Sequence, residues 1–352
     1  MACVDVVIPC YNYARYLERA VESALNQRDV EVRVLIIDDK STDDTPAVGM
    51  ALAAKDKRVT FRRHEVNQGH IKTFNEGILG WVSADYYTLV SADDALTQGS
   101  LARAAAVLDA HPDVSLVYGK ALLLTDHSEA EIPADAVKAR YQIMSGKRFL
   151  QRNCESGNPA PSPAVVLRTI TQQRLGGYNA RMVHTSDMEM WMRFASRGPI
   201  AVIQDAQAYY RLHDSNMSDF FNNQALRDRQ EIIDTCEEAI GTWCKHIPEA
   251  QQWLTDLKRR FADEAYWLAG QAFEASEKAP LAARLAFARR HHPSPWSSKP
   301  AWSYRMKAII GRPLWNALRD LKAKRRKETE AAPDAQSYRA QRGEIGWWPE
   351  AA

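Results

Sequence analysis

The chain has 352 residues, 45% of them hydrophobic, and a formal net charge of +2, which indicates a protein with a sizeable core and no nucleic-acid partner. Its five cysteines include no Cys-x-x-Cys pair, which argues against a disulfide framework or a zinc site and fits a reducing cytoplasm. The sequence contains no apolar stretch of transmembrane length and no signal-peptide pattern. We therefore expect a cytoplasmic protein that is soluble or bound peripherally to a membrane surface.

The N-terminal part of the chain alternates between predicted strands and predicted helices. Short apolar runs predict strands at residues 4–8, 32–37, 59–63 and 86–90. Helical spacing predicts helices over about 14–27, 42–54 and 73–82. This alternation is typical of a mainly parallel α/β sheet with helices on both faces, in which ligands bind beyond the carboxyl ends of the strands.

Two aspartate pairs follow strands of this predicted sheet. Asp38-Asp39 ends the second apolar run, and Asp93-Asp94 comes shortly after Val90. Buried carboxylates need a cation or hydrogen-bond donors, and paired oxygens suit Mg²⁺ or Mn²⁺, which would in turn hold phosphate oxygens. The alternative for each pair is a turn in which the acids bond backbone N–H groups or cap the next helix.

The C-terminal part of the chain has a different sequence pattern. Beyond about residue 224 the sequence predicts long helices with few strands. Residues 304–327 contain nine basic residues and one acid, interspersed with apolar residues, which is typical of a basic amphipathic helix on an anionic membrane surface. The alternative is a solvated helix that packs on the rest of the protein through its apolar side. Residues 328–352 are polar and alanine-rich, which predicts a disordered tail.

Four motifs, in order, resemble those of the family 2 glycosyltransferases. They are Val6-Val7-Ile8-Pro9-Cys10-Tyr11-Asn12, Asp38-Asp39-Lys40-Ser41-Thr42-Asp43, Asn67-Gln68-Gly69 with Asn75-Glu76-Gly77, and Ser91-Ala92-Asp93-Asp94. The resemblance covers roughly residues 3–215 and implies an inverting enzyme of the GT-A fold that uses a nucleotide-sugar donor. Two positions depart from the family pattern: Ser91 stands where an aspartate is common, and Phe74 where an arginine often stands.

The resemblance also implies where donor and metal bind. It places donor-nucleotide contacts at Pro9, Tyr11, Asn12, Asp39, Asn67, Gly69, Ala92 and Asp93. It implies a divalent cation, Mg²⁺ or Mn²⁺, held by Asp93, Asp94 and, as a further candidate, His213. Turn-forming roles without ligand contact stay open for Asn12 and Gly69, as does a structural role for His213.

The segment from Thr185 to Arg193 predicts the start of a helix that carries a carboxylate, Asp187. The resemblance aligns Asp187 with the general base of the family, which is needed because an acceptor hydroxyl is a poor nucleophile until its proton is removed. Glu189 is the alternative base. Helix capping by Asp187 or Ser186 is the structural alternative.

These observations predict a GT-A-like catalytic domain at residues 1–223, with nucleotide-sugar binding within about 1–120 and the acceptor side within about 121–223. A helical region at 224–327 and the tail at 328–352 follow. The predicted function is inverting sugar transfer to a saccharide or lipid-linked saccharide, in surface polysaccharide or glycolipid biosynthesis on the cytoplasmic face of a membrane. The alternatives are a non-catalytic nucleotide-sugar-binding protein of the same fold and a sugar-nucleotide pyrophosphorylase. The latter normally has a glycine-rich basic loop where this chain has Pro9-Cys10-Tyr11-Asn12.

Overall fold

The computed structural model describes residues 1–125, 140–213, 225–292, 298–325 and 344–346. Its strands are β1 (Ala2–Cys10), β2 (Val30–Asp38), β3 (Val59–Arg63), β4 (Tyr86–Leu89), β5 (Ala95–Leu96), β6 (Leu116–Thr125), β7 (Tyr141–Met144), β8 (Val165–Arg168), β9 (Ile200–Leu212) and β10 (Glu344–Ile345). Its helices are α1 (Ala14–Leu25), α2 (Thr45–Lys55), α3 (His70–Gly80), α4 (Ser100–Ala110), α5 (Gly146–Ser156), α6 (Thr169–Leu175), α7 (Ser186–Ala195), α8 (Ala225–Thr242), α9 (Ala250–Ala275), α10 (Lys278–His291), α11 (Lys299–Ile310) and α12 (Arg312–Arg325). No helix in these ranges is long and apolar enough to cross a membrane.

The described strands form one sheet with the order β3-β2-β1-β4-β8-β6-β9-β5, in which β7 also pairs with β9 and β10 with β6. Strands β3, β2, β1 and β4 are parallel, whereas β8 runs antiparallel to both β4 and β6. The predicted α/β sheet flanked by helices is confirmed. Its second half is mixed rather than mainly parallel.

The apolar runs of β1 and β2 form strands because they are covered on both faces. Successive side chains point to opposite faces of a strand. Val6 and Ile8 pack in the cluster that contains Leu17 of α1, whereas Val7 packs in the cluster that contains Ile78 of α3. The sheet therefore has a helix layer on each side, and the carboxyl ends of its parallel strands are left to form a site.

The helical C-terminal region shares a core with this sheet. Trp191 and Phe194 of α7 belong to the same hydrophobic cluster as Ile233 and Cys236 of α8 and Leu257 of α9. The helix that carries Asp187 is therefore packed between the sheet and the C-terminal helices.

Two C-terminal predictions differ from the structure. The basic segment predicted as one helix is divided at Gly311, whose φ of +82° ends α11 before α12 begins. Within the predicted disordered tail, Glu344–Ile345 forms a strand on β6, because Ile345 packs in a groove formed by the small side chains of Ala121, Ala164 and Ala208. Residues 326–343 and 347–352 lie outside the described residues.

Candidate functional site

A cavity of about 470 Å³ opens at the carboxyl ends of β1, β2 and β4. Its lining combines residues from the ends of these strands with residues of α3 and β9: Pro9, Cys10, Tyr11, Tyr13, Asp39, Asn67, Gly69, His70, Thr73, Phe74, Ser91, Asp93, Asp94 and Tyr210. Six of the eight residues predicted to contact the nucleotide line this cavity: Pro9, Tyr11, Asp39, Asn67, Gly69 and Asp93. The fold thus brings the dispersed motifs together.

Asp39 is buried beside this cavity, and both of its carboxylate oxygens accept hydrogen bonds. The backbone N–H groups of Gln68 and Gly69 donate at 2.7 and 2.8 Å, and His64 Nδ1 lies 2.7 Å from Oδ1. Burial by itself would raise the pKa of Asp39, but the hydrogen bonds outweigh it and hold the pKa below its usual range. Asp39 therefore stays charged and fixes the loop at Gly69, whose φ of +83° favours glycine.

His64 links this carboxylate to helix α3. Its Nε2 lies 2.8 Å from Glu76 Oε2, so the buried imidazole bridges the carboxylates of Asp39 and Glu76. Burial would lower the pKa of His64, but the two carboxylates outweigh burial and the pKa is raised. His64 was not predicted as a site residue, because no local pattern marks a histidine whose partners are distant in sequence.

Asn12 and Asp38, which belong to the first two motifs, shape the loops that follow β1 and β2. Asn12 has a left-handed φ of +59°, and its Oδ1 accepts a hydrogen bond from the Thr42 N–H at 2.8 Å. Its own N–H donates to Ser41 Oγ at 2.9 Å. Asp38 is fully buried, and its Oδ1 accepts from the Ser41 N–H at 2.8 Å. Both side chains shape the loops, and neither is among the cavity-lining residues.

The Asp93-Asp94 pair faces the end of β9. Asp93 Oδ2 lies 3.0 Å from His213 Nε2, whereas Asp94 Oδ1 accepts a hydrogen bond from the Arg211 N–H at 3.0 Å. Burial, followed by the charge of Asp93, raises the pKa of Asp94 well above its usual range. The two aspartates thus differ in their partners. The Asp93 carboxylate lies against the His213 imidazole, whereas the Asp94 carboxylate accepts a backbone hydrogen bond from β9.

Aromatic rings enclose His213. The ring of Tyr16 stacks on its imidazole with the centroids 5.6 Å apart, and the ring of Tyr13 meets it edge-on at 5.5 Å. The guanidinium of Arg211 lies 4.6 Å from the centroid of the Tyr16 ring. These contacts hold the imidazole against two tyrosine rings, and neither tyrosine was predicted from the sequence.

The ligand atoms of Asp93, Asp94 and His213 determine which kind of metal ion this cluster could hold. Within the described residues, no group of three or more His, Cys, Asp or Glu side chains is arranged to hold a metal ion. Asp93 Oδ2 and His213 Nε2 nevertheless give an adjacent oxygen and nitrogen, which are ligand types that Mn²⁺ accepts. Asp94 Oδ1 is instead occupied by the hydrogen bond from the Arg211 N–H. The residues therefore fit an ion held by Asp93 and His213 and completed by ligands from a bound molecule.

Ala92 is the second predicted nucleotide contact that does not line the cavity. Its side chain is fully buried in the same hydrophobic cluster as Leu17 and Leu101. Its methyl group therefore has a packing role.

Asp187 lies in the first turn of α7 and is held by the loop before β8. Its Oδ2 accepts hydrogen bonds from Ser162 Oγ at 2.7 Å and from Asn158 Nδ2 at 3.0 Å, and its Oδ1 accepts from the Met188 N–H. Burial raises the pKa of Asp187 and outweighs the opposing effect of these bonds and of His184. A carboxylate whose pKa is raised is better suited to take up a proton than an ordinary surface aspartate.

Three contacts join the segment before α7 to the wall of the cavity. His70 Nε2 donates to the Val183 carbonyl at 3.0 Å, and the rings of Phe74 and Tyr178 pack edge-on at 5.4 Å. Asn75 exchanges two hydrogen bonds with the backbone of Tyr178, at 2.6 and 3.0 Å. His70 and Phe74 thus face the cavity while they hold the segment that leads to Asp187.

Helix α8 fixes the start of α7 from the other side. Glu231 accepts hydrogen bonds from the backbone N–H groups of His184 and Thr185, the latter at 2.9 Å. Asp228 Oδ1 lies 3.0 Å from His184 Nε2. A carboxylate at a helix N-terminus is stabilising because it satisfies free N–H groups and complements the helix dipole.

Glu189, the alternative base, has a different environment. It is buried within α7, and its Oε2 lies 2.8 Å from Arg193 Nη2 one turn further along the helix. Arg193 in turn donates to the carbonyls of Leu175 and Gly177. Glu189 thus belongs to an internal network that holds the turn before Tyr178.

Comparison with known proteins gives a consistent result. Residues 5–157 match the family described as Glycosyl transferase family 2. A Haemophilus influenzae protein described as an uncharacterized glycosyltransferase is 24% identical over 233 residues, which cover 65% of this chain and 71% of that protein.

Two solved structures share the fold. S. aureus TarS 1–349 in complex with UDP superposes with a TM-score of 0.56 at 19% identity, over 87% of this chain and 90% of that one. The mannosyltransferase PcManGT from Pyrobaculum calidifontis, in complex with GDP-Man and Mn²⁺, gives a TM-score of 0.51 at 17% identity, over 89% and 82%.

Proposed function

We propose that this protein, whose residues 5–157 match Glycosyl transferase family 2, is a glycosyltransferase that moves a sugar from a nucleoside diphosphate donor to an acceptor hydroxyl with inversion. One observation carries this proposal. His70 and Phe74 join the cavity lined by Asp39 and Asp93 to the segment that precedes helix α7, whose first turn contains Asp187, a carboxyl group of raised pKa.

The donor nucleotide is proposed to occupy the cavity between the ends of β1, β2 and β4. Asp39 would accept a hydrogen bond from the base or ribose, with Pro9, Tyr11, Asn67 and Gly69 forming the surrounding walls. TarS 1–349 is solved with UDP, a nucleoside diphosphate, and PcManGT is solved with GDP-Man, a nucleotide sugar.

Asp93 and His213 are proposed to hold Mg²⁺ or Mn²⁺, as their adjacent ligand atoms allow. The neutral imidazole is the form that binds a metal. When bound, the ion would stabilise negative charge on the leaving diphosphate. Tyr13 and Tyr16 orient the imidazole, and Arg211 adds positive charge beside it.

Asp187 is the proposed general base. It would take the proton of the acceptor hydroxyl while the hydroxyl oxygen forms a bond to the anomeric carbon and the bond to the diphosphate breaks. A single displacement inverts the configuration at that carbon. Ser162 and Asn158 hold Oδ2 of the base, and Glu231 holds the start of its helix.

The acceptor is proposed to be a saccharide or a lipid-linked saccharide used for surface polysaccharide or glycolipid synthesis at the cytoplasmic face of a membrane. A non-catalytic sugar-nucleotide-binding protein or a pyrophosphorylase agrees less well with the family match and with the poised carboxyl of Asp187.

The test is incubation of the full chain with a panel of nucleotide sugars and Mn²⁺, with and without saccharide acceptors. We expect nucleoside diphosphate release from one donor class, and a product whose anomeric configuration, read by NMR, is opposite to that of the donor. Absence of release from every donor, with no change in melting temperature on adding nucleoside diphosphates and Mn²⁺, would contradict the proposal.

A further inference from the structure

Helices α11 and α12 present large apolar side chains to solvent. Trp302 and Ile309, two helical turns apart on α11, are 53% and 77% exposed. Leu314 and Leu318, one turn apart on α12, are 58% and 47% exposed. Single exposed apolar residues are ordinary, but four such residues on two consecutive helices mark an interaction surface.

The two helices pack on α9 through polar and aromatic contacts instead. Glu274 of α9 binds three groups: Lys307 Nζ at 2.7 Å, Trp315 Nε1 at 2.9 Å and Arg319 Nη1 at 3.0 Å. The ring of Tyr304 packs edge-on against Phe273. Ala301 is buried in the core and Tyr304 packs against it, whereas Trp302, Ile309, Leu314 and Leu318 are left outside.

The charge of the segment identifies the kind of partner. Residues 304–327 contain nine basic residues and one acid, although the whole chain carries only +2, so the rest of the chain is net acidic. The last turns of α12 contain Lys322, Lys324 and Arg325. Exposed apolar side chains beside concentrated positive charge complement an anionic lipid surface, where acyl chains and negative head groups lie together. A second copy of the same surface would be repelled by its like charge.

We propose that the outward face of α11 and α12, formed by Trp302, Ile309, Leu314 and Leu318, docks on an anionic lipid bilayer. The apolar side chains enter the boundary between head groups and acyl chains, and the basic residues of the segment supply the electrostatic attraction. Docking does not depend on sugar transfer. It therefore stands or falls separately from the proposed catalytic activity.

The experiment is co-sedimentation of the full chain with vesicles of phosphatidylcholine alone and of phosphatidylcholine mixed with phosphatidylglycerol. We expect binding to the anionic vesicles only, weakened by salt because the attraction is partly electrostatic. The double variant Ile309→Ser/Leu314→Ser should bind at least about tenfold more weakly, because it removes two apolar side chains that enter the lipid.

The matched control is Met50→Ser/Leu79→Ser, which removes two apolar side chains of similar exposure, 57% and 53%, from α2 and α3. This control should bind like the unmodified protein, and both variants should keep its melting temperature. Equal binding to neutral vesicles, no binding to anionic vesicles, or unchanged binding of the Ile309/Leu314 variant would overturn the proposal. So would a dimer in solution that this variant abolishes, because the surface would then bind a second copy.

Discussion

Asp39 and Asp187 are both carboxylates of the candidate site, and their surroundings shift their pKa values in opposite directions. Backbone N–H groups and His64 surround Asp39, and its pKa is held below the usual range in spite of burial. For Asp187 burial outweighs the hydrogen bonds, and the pKa is raised. The environment, not the residue type, makes one carboxylate a permanent charge and the other a group poised to take a proton.

The contrast matches two tasks. A group that binds a nucleotide should keep its charge and position, and the loop at Gln68 and Gly69 does this for Asp39. A general base should exchange a proton during each turnover, so a pKa closer to neutrality is useful. Substitutions of Asp39 and of Asp187 should therefore reduce nucleotide binding and turnover separately, and this difference tests the comparison most directly.

The largest effect is expected for Asp187→Asn. The amide keeps the shape of the side chain but takes up no proton, so kcat should fall about 10³-fold while the affinity for nucleoside diphosphate stays unchanged. Steady-state kinetics and calorimetric titration with the nucleotide measure the two quantities. Equal loss of both would assign Asp187 a structural role.

The same carboxylate has a pH signature. Activity should fall as the pH decreases through the raised pKa of Asp187, because the protonated form is no base. Ser162→Ala removes a hydrogen bond that lowers this pKa, so the acid limb of the kcat profile should move to higher pH. An unchanged profile in this variant would argue against Asp187 as the titrating group.

A smaller effect, on binding, is expected for Asp39→Asn. The variant loses the negative charge that accepts two backbone hydrogen bonds, so the Kd for nucleoside diphosphate should rise about 10-fold to 100-fold. Asp43→Asn is the matched control, since Asp43 also accepts backbone hydrogen bonds in a turn but does not line the cavity. Equal weakening by both substitutions would reduce the role of Asp39 to loop stability.

His64→Gln should raise the same Kd by about tenfold, because the glutamine cannot supply a charged bridge between Asp39 and Glu76. The pKa of His64 is raised in the folded protein, so its stabilising effect is complete below the ordinary value of 6.5 and is lost as the pH rises through the raised pKa. Melting temperatures measured against pH should show this loss in the parent protein and not in the variant. His111→Gln, outside the cavity lining, should keep the parent pH dependence.

The smallest effect is expected for Glu231→Gln. Loss of the charge that caps α7 should destabilise the protein by about 1 kcal/mol and lower kcat a few-fold, with donor affinity unchanged. Glu238→Gln on the same helix removes only a pair with the exposed Arg181 and should change neither quantity. A larger effect of Glu238→Gln would show that α8 acts by its overall packing.

The sequence predicted those parts of the fold whose signals are local. Continuous apolar runs gave β1 and β2, and the motif order gave Asp39, Gly69 and Asp93 as residues of one site. Strand β9, Ile200–Leu212, was not predicted because Gln204, Asp205 and Gln207 interrupt its apolar pattern. It forms a strand because its long parallel pairing with β6 supplies the hydrogen bonds.

The remaining site residues depend on tertiary contacts. His64 gains its role only when α3 brings Glu76 to one side and β2 brings Asp39 to the other. Tyr13 and Tyr16 matter because the end of β9 places His213 against them. No spacing within the sequence indicates that these side chains come into contact.

The short strand β10 has a practical consequence for protein engineering. Ile345 packs in the same small cluster as Tyr210, which lines the cavity, and Gly346 approaches the Lys120 backbone and Pro161 so closely that a side chain would crowd them. Pro161 precedes Ser162, the residue that bonds Asp187. A truncation that removes residues 344–346 to obtain a shorter protein would therefore remove packing contacts beside Tyr210 and Pro161, which adjoin the two parts of the candidate site.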